Sequence, residues 1–475
     1  MSVSELRAAG GAVPFYRDVR ILAILAQVAF VLVVVAAGAF FINNLVVGLR
    51  ASNIPLGWNF LRQEAGFEIA EGPLFSPSES YARAFAVGVS NTVRVAIVGI
   101  VLATLLGLLV GIARLSNNWL VRTLATVYVE IVRNTPLLVQ LFFWYFAVIL
   151  KLPDIRSSAE WAGVALLSNR GIALTWPRIS ATGQGLVYWL AAAVVAALLV
   201  GVLARRRGAA QGRPQSGLAP GLLAMVILAA VGFGITTVTG ALPENAIYTL
   251  HRGDRGVLFV DHNGNGVFNR GVDQPLAYVP VTLFAEDGSL LGVTSTDGEG
   301  AFRFYNLAAE GARLTWEAPP VIVWDEPLLQ GFNYQGGQRL SPEFAALLFG
   351  LTIYTAGFIA EIVRAGINAV AKGQWEASRA LGLKSGETLR LIVLPQALRV
   401  IIPPLTSQYL NLTKNSSLAI AVGYPDLFNV SRTIFNQSGA TVQMFVLIMA
   451  TYLALSLLTS TFMNWYNRRM ALVER

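Results

Sequence analysis

Glu376-Ala377-Ser378-Arg379-Ala380-Leu381-Gly382, followed after nine residues by Ile392-Val393-Leu394-Pro395, is a polar, amphipathic stretch set between two strongly apolar segments. Most connections between elements are short, so a structured loop of roughly twenty residues between apolar runs is unusual. Such a loop reads as a docking surface for a soluble partner. Gln374 to Leu381 suits a short helix with Ala377, Ala380 and Leu381 on one side. Gly382, just before Leu383, stands where a left-handed C-terminal stop is expected. Ser385 is placed to N-cap a second short helix carrying Thr388 to Leu394, and Pro395 is expected to end it. Glu376 and Arg379 offer charge-assisted contacts. The rival reading is a helix lying on lipid, and against it the apolar face is interrupted by glycine.

Working outward, the chain has 475 residues, 55% hydrophobic and 13% charged. A soluble domain carries about 25% charged residues, so most of this chain does not face water. The net charge of +8 does not indicate nucleic acid, because Lys and Arg lie in short clusters beside apolar runs. The absence of cysteine excludes disulfides, thiolate metal sites and thiol nucleophiles. Two histidines, His251 and His262, leave little material for a His-based metal site.

Residues 21–42 are apolar after Arg17 and Arg20, and Ala37-Gly38-Ala39 looks like a signal cleavage box. The run is longer than the roughly 7–15 residues of a signal core, so a retained helix is expected. Further spans are expected at about 85–113, 120–150, 184–204, 218–242, 343–370, 398–423 and 442–465, several of them exceeding the roughly 20 residues that cross a bilayer. The expectation is a mainly α polytopic membrane protein of about eight transmembrane helices. With both termini cytoplasmic, the inner segments hold Arg114 near Arg122, Arg205-Arg206-Arg207 with Arg213, the loop at 376–395 and Arg468-Arg469. The opposite orientation violates the positive-inside rule repeatedly. Segments 43–84, 151–183, 243–342 and 424–441 then lie outside.

Residues 251–317 change character. Short β-prone runs at 256–260, 278–285, 290–296, 301–305 and 312–317 are punctuated by Asp287-Gly288 and Asp297-Gly298 turn signals, which predicts a small β-sandwich. Asp261-His262-Asn263-Gly264-Asn265-Gly266 matches the opening of a calcium loop. The twelfth position is Val272 and Asp273 comes one residue late, so Asp261, Asn263, Asn265 and Asp273 are the candidate ligands. The alternative is an Asn/Gly-rich turn held by its own backbone. The insertion could cap a translocation mouth, touch a solute-binding protein, or be a tolerated addition.

Three polar words interrupt the spans. Glu130 and Arg133 share a helix face and precede Asn134-Thr135-Pro136, with Gln140 four residues on. Glu361 and Arg364 repeat the Glu-Ile-Val-Arg word. Glu130–Arg133 reads equally well as a structural pair or a gating element; the repeated word could reflect an internal repeat, and with four letters the shared need for a paired charge at a membrane boundary is the preferred reading. In the third, Asn411, Lys414 and Asn415 fall on one helix face, followed by Ser416 and Ser417. Polar groups at such depth are functional candidates, and interhelical glue is the competing reading.

The pattern Glu-Ala-x4-Gly-x9-Ile-x-Leu-Pro resembles the coupling loop of bacterial ABC importer permeases. Arg133 to Phe143 and Asn411 to Leu418 resemble signatures of the polar amino acid permeases, with Asn134 where Gly is common. These matches cover about 85–150 and 343–470. The interruption between them resembles the larger permease of the bacterial general L-amino-acid transporters. Residues 251–317 resemble B-type Ig-like repeats of Gram-positive surface proteins. The resemblance implies a five-helix type I importer core in the inner membrane, a second related permease, two copies of a cytoplasmic ATPase, and a periplasmic amino acid-binding protein. It also implies a periplasmic insertion, ATPase contacts at Glu376, Ala377, Arg379, Gly382, Leu383 and Pro395, and a pathway near Asn134, Thr135, Gln140, Asn411, Lys414, Asn415, Ser416 and Ser417. The chain has no G-x-x-x-x-G-K-[ST] loop, so ATP and Mg are expected on the partner ATPase. Two rivals from other classes are an ion-gradient-driven secondary transporter, against which the acids here sit near the expected membrane edges beside Arg, and a membrane-anchored display or sensor protein, for which eight spans are excessive.

Overall fold

Long apolar runs set the helix lengths, and short polar residues set their ends. A computed structural model describes residues 19–51, 57–211, 217–243, 245–251, 255–304, 313–330 and 333–470. Arg17, Arg213, Tyr305 and Ala312 lie outside these. The helices are α1 (Val19–Ala51), α2 (Tyr81–Ala113), α3 (Trp119–Asn134), α4 (Leu137–Phe142), α5 (Gln184–Ala210), α6 (Leu218–Thr239), α7 (Pro342–Asn368), α8 (Lys372–Ala380), α9 (Ser385–Glu387), α10 (Leu394–Asn415), α11 (Leu427–Ser438) and α12 (Thr441–Met470). Ser80 caps α2 by accepting the Arg83 N–H at 3.3 Å, and the Asn118 carboxamide oxygen caps α3 through Leu120 N–H at 2.9 Å. Among the described residues, seven helices are long and apolar enough to cross a membrane, or eight if the bent α3–α4 pair is one span.

That pair falls on the span expected over 120–150, which is broken rather than straight. The chain turns by 107° between α3 and α4. Thr135 is extended (φ −102°, ψ 127°), the conformation that a following proline favours, and Pro136 has no N–H to continue the helix. A π-helical turn, Phe143–Val148, follows α4. The segment 424–441, expected to lie outside, holds the twelve-residue α11.

The chain divides into two compact units, one running to Tyr145 and resuming at Ala346, the other Phe146–Ala345. In the first unit α2 and α7 meet through small residues. A Cβ at Gly107 would lie 2.6 Å from Ile359 Cβ, and one at Gly111 2.9 Å from the Ala360 carbonyl. Glycines four apart on one face let two helix backbones approach this closely. Around that contact Ala103, Ile359, Val363, Val393, Ala397, Ile401 and Leu412 form a buried cluster.

Among its described residues the second unit carries the helices α5 and α6 and fifteen short strands: β1 (Ala159–Trp161), β2 (Ala165–Ser168), β3 (Gly171–Leu174), β4 (Trp176–Ile179), β5 (Ala246–His251), β6 (Arg255–Val260), β7 (Gln274–Pro275), β8 (Pro280–Phe284), β9 (Leu290–Ser295), β10 (Ala301–Arg303), β11 (Arg313–Trp316), β12 (Ile322–Asp325), β13 (Leu328–Gln330), β14 (Asn333–Gln335) and β15 (Gln338–Leu340). Two sheets, β10-β6-β5 with β7 beside β6, and β11-β8-β9, bury Leu258, Val260, Leu276, Val281, Leu283, Phe302 and Leu314 in one core. Asp287 bonds the Ser289 N–H at 2.9 Å and Gly288 takes φ +82°, closing the β8–β9 hairpin. This β region starts at Ala246, five residues before the expected boundary. A further four-stranded sheet, β1-β2-β3-β15, and the pairs β12-β4 and β13-β14 occupy segments to which no strands were assigned from sequence.

Candidate functional site

The loop that opened the sequence reading is pinned on one side and bare on the other. α8 begins at Lys372, two residues earlier than expected. Its inner side carries Trp375, packed on the Val370–Val393–Ala397 cluster, and Ser378, buried and donating to the Trp375 carbonyl at 2.8 Å. Gln396 on α10 donates to the Gln374 side chain at 3.2 Å, tying the two limbs of the loop together. The outer side presents Glu376, Ala377, Arg379, Ala380 and Leu381, the last 79% exposed, with Leu391 60% exposed on the second limb.

Gly382 sits at φ +74°. Leu383 N–H bonds the Ser378 carbonyl at 3.1 Å and Gly382 N–H bonds the Arg379 carbonyl at 2.9 Å. These are the 6→1 and 5→2 bonds of a Schellman stop, which needs a left-handed residue at this position. Two details differ from expectation. Lys384, not Ser385, is the N-cap of α9, with its N–H bonded to the Glu387 carboxylate at 2.9 Å. Pro395 does not end a helix. It lies in the first turn of α10, where a proline's missing N–H is tolerated, behind a π-helical turn over Thr388–Val393. Loop and span are therefore one continuous run, Ser385–Ala421.

Above the loop, one carboxylate gathers three guanidiniums. Glu361 on α7 accepts from Arg114, next to the end of α2, and from Arg364 Nε at 3.3 Å, and lies 3.9 Å from Arg133 on α3. The expected Glu130–Arg133 pair is not formed. Arg133 turns to Glu361 and stacks over Phe358 at 5.3 Å, while Glu130 accepts from Asn134 at 3.4 Å. Helix spacing allowed the local pair, but a half-buried carboxylate on α7 already holding two other guanidiniums lies within reach.

The bend itself uses two of the candidate pathway residues. Thr135 Oγ1 donates to the Ile131 carbonyl at 2.8 Å. Gln140, 8% exposed, donates its amide to the carbonyls of Val132 at 2.8 Å and Thr135 at 3.0 Å. Pro136 has no N–H to give the Val132 carbonyl, Val139 N–H turns to the Pro136 carbonyl at 3.1 Å and not to that of Thr135, and the Gln140 amide serves both freed carbonyls. Gln140 thus holds the bend together.

On α10, Asn411 and Lys414 are exposed, Asn415 and Ser417 half-buried, and Ser416 buried. Ser416 and Ser417 donate to the carbonyls of Thr413 and Lys414 at 2.7 and 2.8 Å, where α10 tightens into a 3-10 turn, Ser416–Ala421. Asn411 and Lys414 therefore form the polar face that their own subunit leaves uncovered.

Sequence reading passed over Asp426. It is fully buried, caps α11 through the Asn429 N–H at 2.9 Å, and meets the Tyr452 hydroxyl at 3.5 Å. Burial pushes its carboxyl up to about 7, against the lowering effect of those bonds. The only signal was an Asp directly before an apolar-periodic segment.

In the β region, Asp261 accepts the N–H groups of Gly264 and Gly266 at 2.7 and 2.8 Å. Asn263 and Asn265 accept those of Asn265 and Val267 at 3.1 and 2.8 Å, and Asp273 those of His262 and Asn269 at 3.1 and 2.7 Å. The loop closes on its own backbone. The N–H groups of Gly266 and Gly264 hold the Asp261 carboxyl below its usual range. Among the described residues, no group of three or more His, Asp or Glu comes together as a metal site would require.

Residues 318–472 match the family model described as "Binding-protein-dependent transport system inner membrane component". The general L-amino acid transport system permease protein AapQ of Rhizobium johnstonii is 40% identical, over 91% of this chain and 88% of that protein. The putative amino-acid ABC transporter permease protein YhdX of Escherichia coli is 38% identical, over 94% of each. The glutamate/glutamine/aspartate/asparagine transport system permease protein BztB of Rhodobacter capsulatus is 34% identical, over 96% of each. The chain belongs to this family: it is a membrane-spanning permease subunit of an amino-acid ABC transporter, in which a separate subunit hydrolyses ATP and a substrate-binding protein supplies the cargo.

Proposed function

We propose that the loop from α8 to the start of α10 is where the cytoplasmic ATPase drives this chain, and that the chain forms half of an L-amino acid pathway beside a second, related permease. One observation carries the reading: a rigid loop whose inner side is anchored by Trp375 and Gln396 presents Leu381 and Leu391 to solvent. An exposed apolar pair with small and charged neighbours is the anatomy of an interface centre. The loop occurs once, and an engine of two ATPases needs two, which supports pairing with a second permease. Nucleotide and Mg belong to the ATPase. Anchored to the cytoplasm by this loop, both termini lie inside and the Phe146–Ala345 unit contributes its strands to the periplasmic side, where the binding protein docks. Asn411 and Lys414 line the pathway, the Lys414 ammonium meeting the substrate carboxylate.

The chain's lack of cysteine makes the test clean. Ala380→Cys is expected to crosslink to the ATPase in inverted vesicles and to react with an impermeant maleimide only from the cytoplasmic side. Ser289→Cys is expected to react only from the other side. Labelling of both positions from one side would refute the orientation, and absence of an ATPase crosslink at Ala380 and at Leu381 would refute the coupling surface.

A further inference from the structure

α3 and α7 lie side by side. Tyr128 donates to the Ile353 carbonyl at 2.7 Å, a Cβ at Gly357 would lie 3.1 Å from Val132 Cγ1, and Arg133 stacks over Phe358. These partners advance together along both helices, so the pair runs parallel. Past Pro136 the chain turns back onto the same helix, where a Cβ at Gly350 would lie 2.5 Å from Leu141 Cδ2. Both limbs of the bend therefore rest on α7.

Three guanidiniums meet Glu361, but not in the same way. Arg364 and Arg114 donate hydrogen bonds to it, and Arg114 directly follows α2. Arg133 lies 3.9 Å away and is 37% exposed, and its guanidinium makes no hydrogen bond among the described residues. The Phe358 ring beneath it holds it in place. Arg133 also stands directly before Asn134-Thr135-Pro136, where the helix breaks. The loosest of the three links is thus the one that acts at the bend.

Glu361 itself belongs with the loop below it. Leu115, next to Arg114, and Val363 and Ile367, on either side of Arg364, pack in one cluster with Val370, Trp375 and Val393. Three residues separate α7 from α8. A push on the loop therefore moves the ends of α2 and α7 together with Glu361, and the last turn of α3 follows through Arg133.

We propose that Arg133 is a positioning residue for transport: through Glu361 it carries movement of the α8–α10 loop to the α3–α4 bend, whose angle follows the ATPase cycle. This role rests on the coupling reading above.

The test uses the full complex in vesicles with binding protein, its other subunits freed of cysteine. Leu120→Cys on α3 and Val139→Cys on α4, both exposed, carry spin labels on the two limbs of the bend in a chain with no cysteine of its own. Their separation is measured by pulsed electron paramagnetic resonance without nucleotide and with ATP trapped by vanadate. The parent is expected to shift on trapping. Arg133→Gln is expected to lower both the shifted population and uptake per ATP about 2- to 5-fold, the worth of one exposed ion pair. Arg133→Lys, which keeps the charge, is expected to restore both. The crosslink of Ala380→Cys to the ATPase reports the loop itself and is expected to be equal with and without Arg133→Gln. With that crosslink intact, a parent separation that ignores nucleotide, a shift unchanged in Arg133→Gln, or a lowered melting temperature as the sole effect of Arg133→Gln overturns the role of Arg133 alone. Absence of the crosslink from the parent overturns the coupling reading, and the role with it.

Discussion

Replacing Gly382 with alanine isolates a backbone effect at the proposed coupling surface. Gly382 holds φ +74°, and a Cβ there would meet no atom within 4 Å. Steric clash inside this chain is therefore absent, and the penalty is conformational. An L-residue in left-handed backbone costs roughly 1–2 kcal/mol. A loss of that size shifts the balance between the intact and the opened stop by a factor of about 5–30. Opening it breaks the bonds from Leu383 and Gly382 to Ser378 and Arg379 and moves Leu381, the most exposed apolar side chain of the loop. The assay is amino acid uptake and ATP hydrolysis measured in the same vesicles. Gly382→Ala is expected to lower uptake per ATP several-fold with normal membrane insertion. Gly382→Asn, whose side chain tolerates left-handed backbone, is expected to fall between Ala and the parent. If Ala and the parent behave alike, the stop does not shape the coupling surface. If Asn is worse than Ala, the defect is a side-chain collision with the ATPase and the conformational argument fails.

Glu361→Gln leaves three guanidiniums without their carboxylate and is expected to cost about 2 kcal/mol, read as a lowered melting temperature in detergent; an unchanged midpoint would show the cluster to be solvated. Gly107→Val is expected to destabilise by roughly 1–3 kcal/mol through overpacking on Ile359, while Gly48→Val, with no atom near its Cβ, serves as the control; equal effects would disprove the α2–α7 contact. Asp426 titrates near 7 in the fold against 3.8 unfolded, so its contribution is lost as pH rises from about 4 to about 7 and stays flat above. Asp426→Asn, which keeps the helix cap, is expected to be more stable than the parent at pH 8 and to flatten that part of the pH–stability curve; a curve unchanged in shape would refute the buried ionisation. Asp261 behaves oppositely: its carboxyl is held low by backbone N–H groups, so the stability it adds is lost as pH falls through the acid range, and Asp261→Asn is expected to remove that acid sensitivity in hydrogen exchange of Gly264 and Gly266.

The loop from α8 to the start of α10 was legible because its two devices are local. Gly382 at the end of an amphipathic run announces a left-handed stop, and one turn of spacing puts Ala377, Ala380 and Leu381 together. The spans were legible from length. What escaped depends on partners distant in sequence. Glu361 and Arg114 are 247 residues apart, so helix spacing could suggest only the pairing with Arg364. Thr135-Pro136 announces a weakened helix, but the angle of 107° is set by packing and by Gln140 reaching back to Val132. Strands β1 to β4 are three or four residues long, too short for alternation to show. Pro395 misled for a physical reason: proline stops a helix from within but starts one equally well.

The pairing of β3 with β15 has a consequence in time. β3 ends at Leu174 and its partner strand begins at Gln338, a gap of 338 − 174 = 164 positions. At about 5–20 residues per second, a ribosome needs roughly ten to thirty seconds to deliver the second strand. Over the same interval the small-residue face of α2 waits for Ile359 and Ala360, which are made later still. Each newly made copy therefore passes through a period with the contact face of α2 and one edge of β3 unpaired, and the rate of synthesis across the insertion sets how long that period lasts.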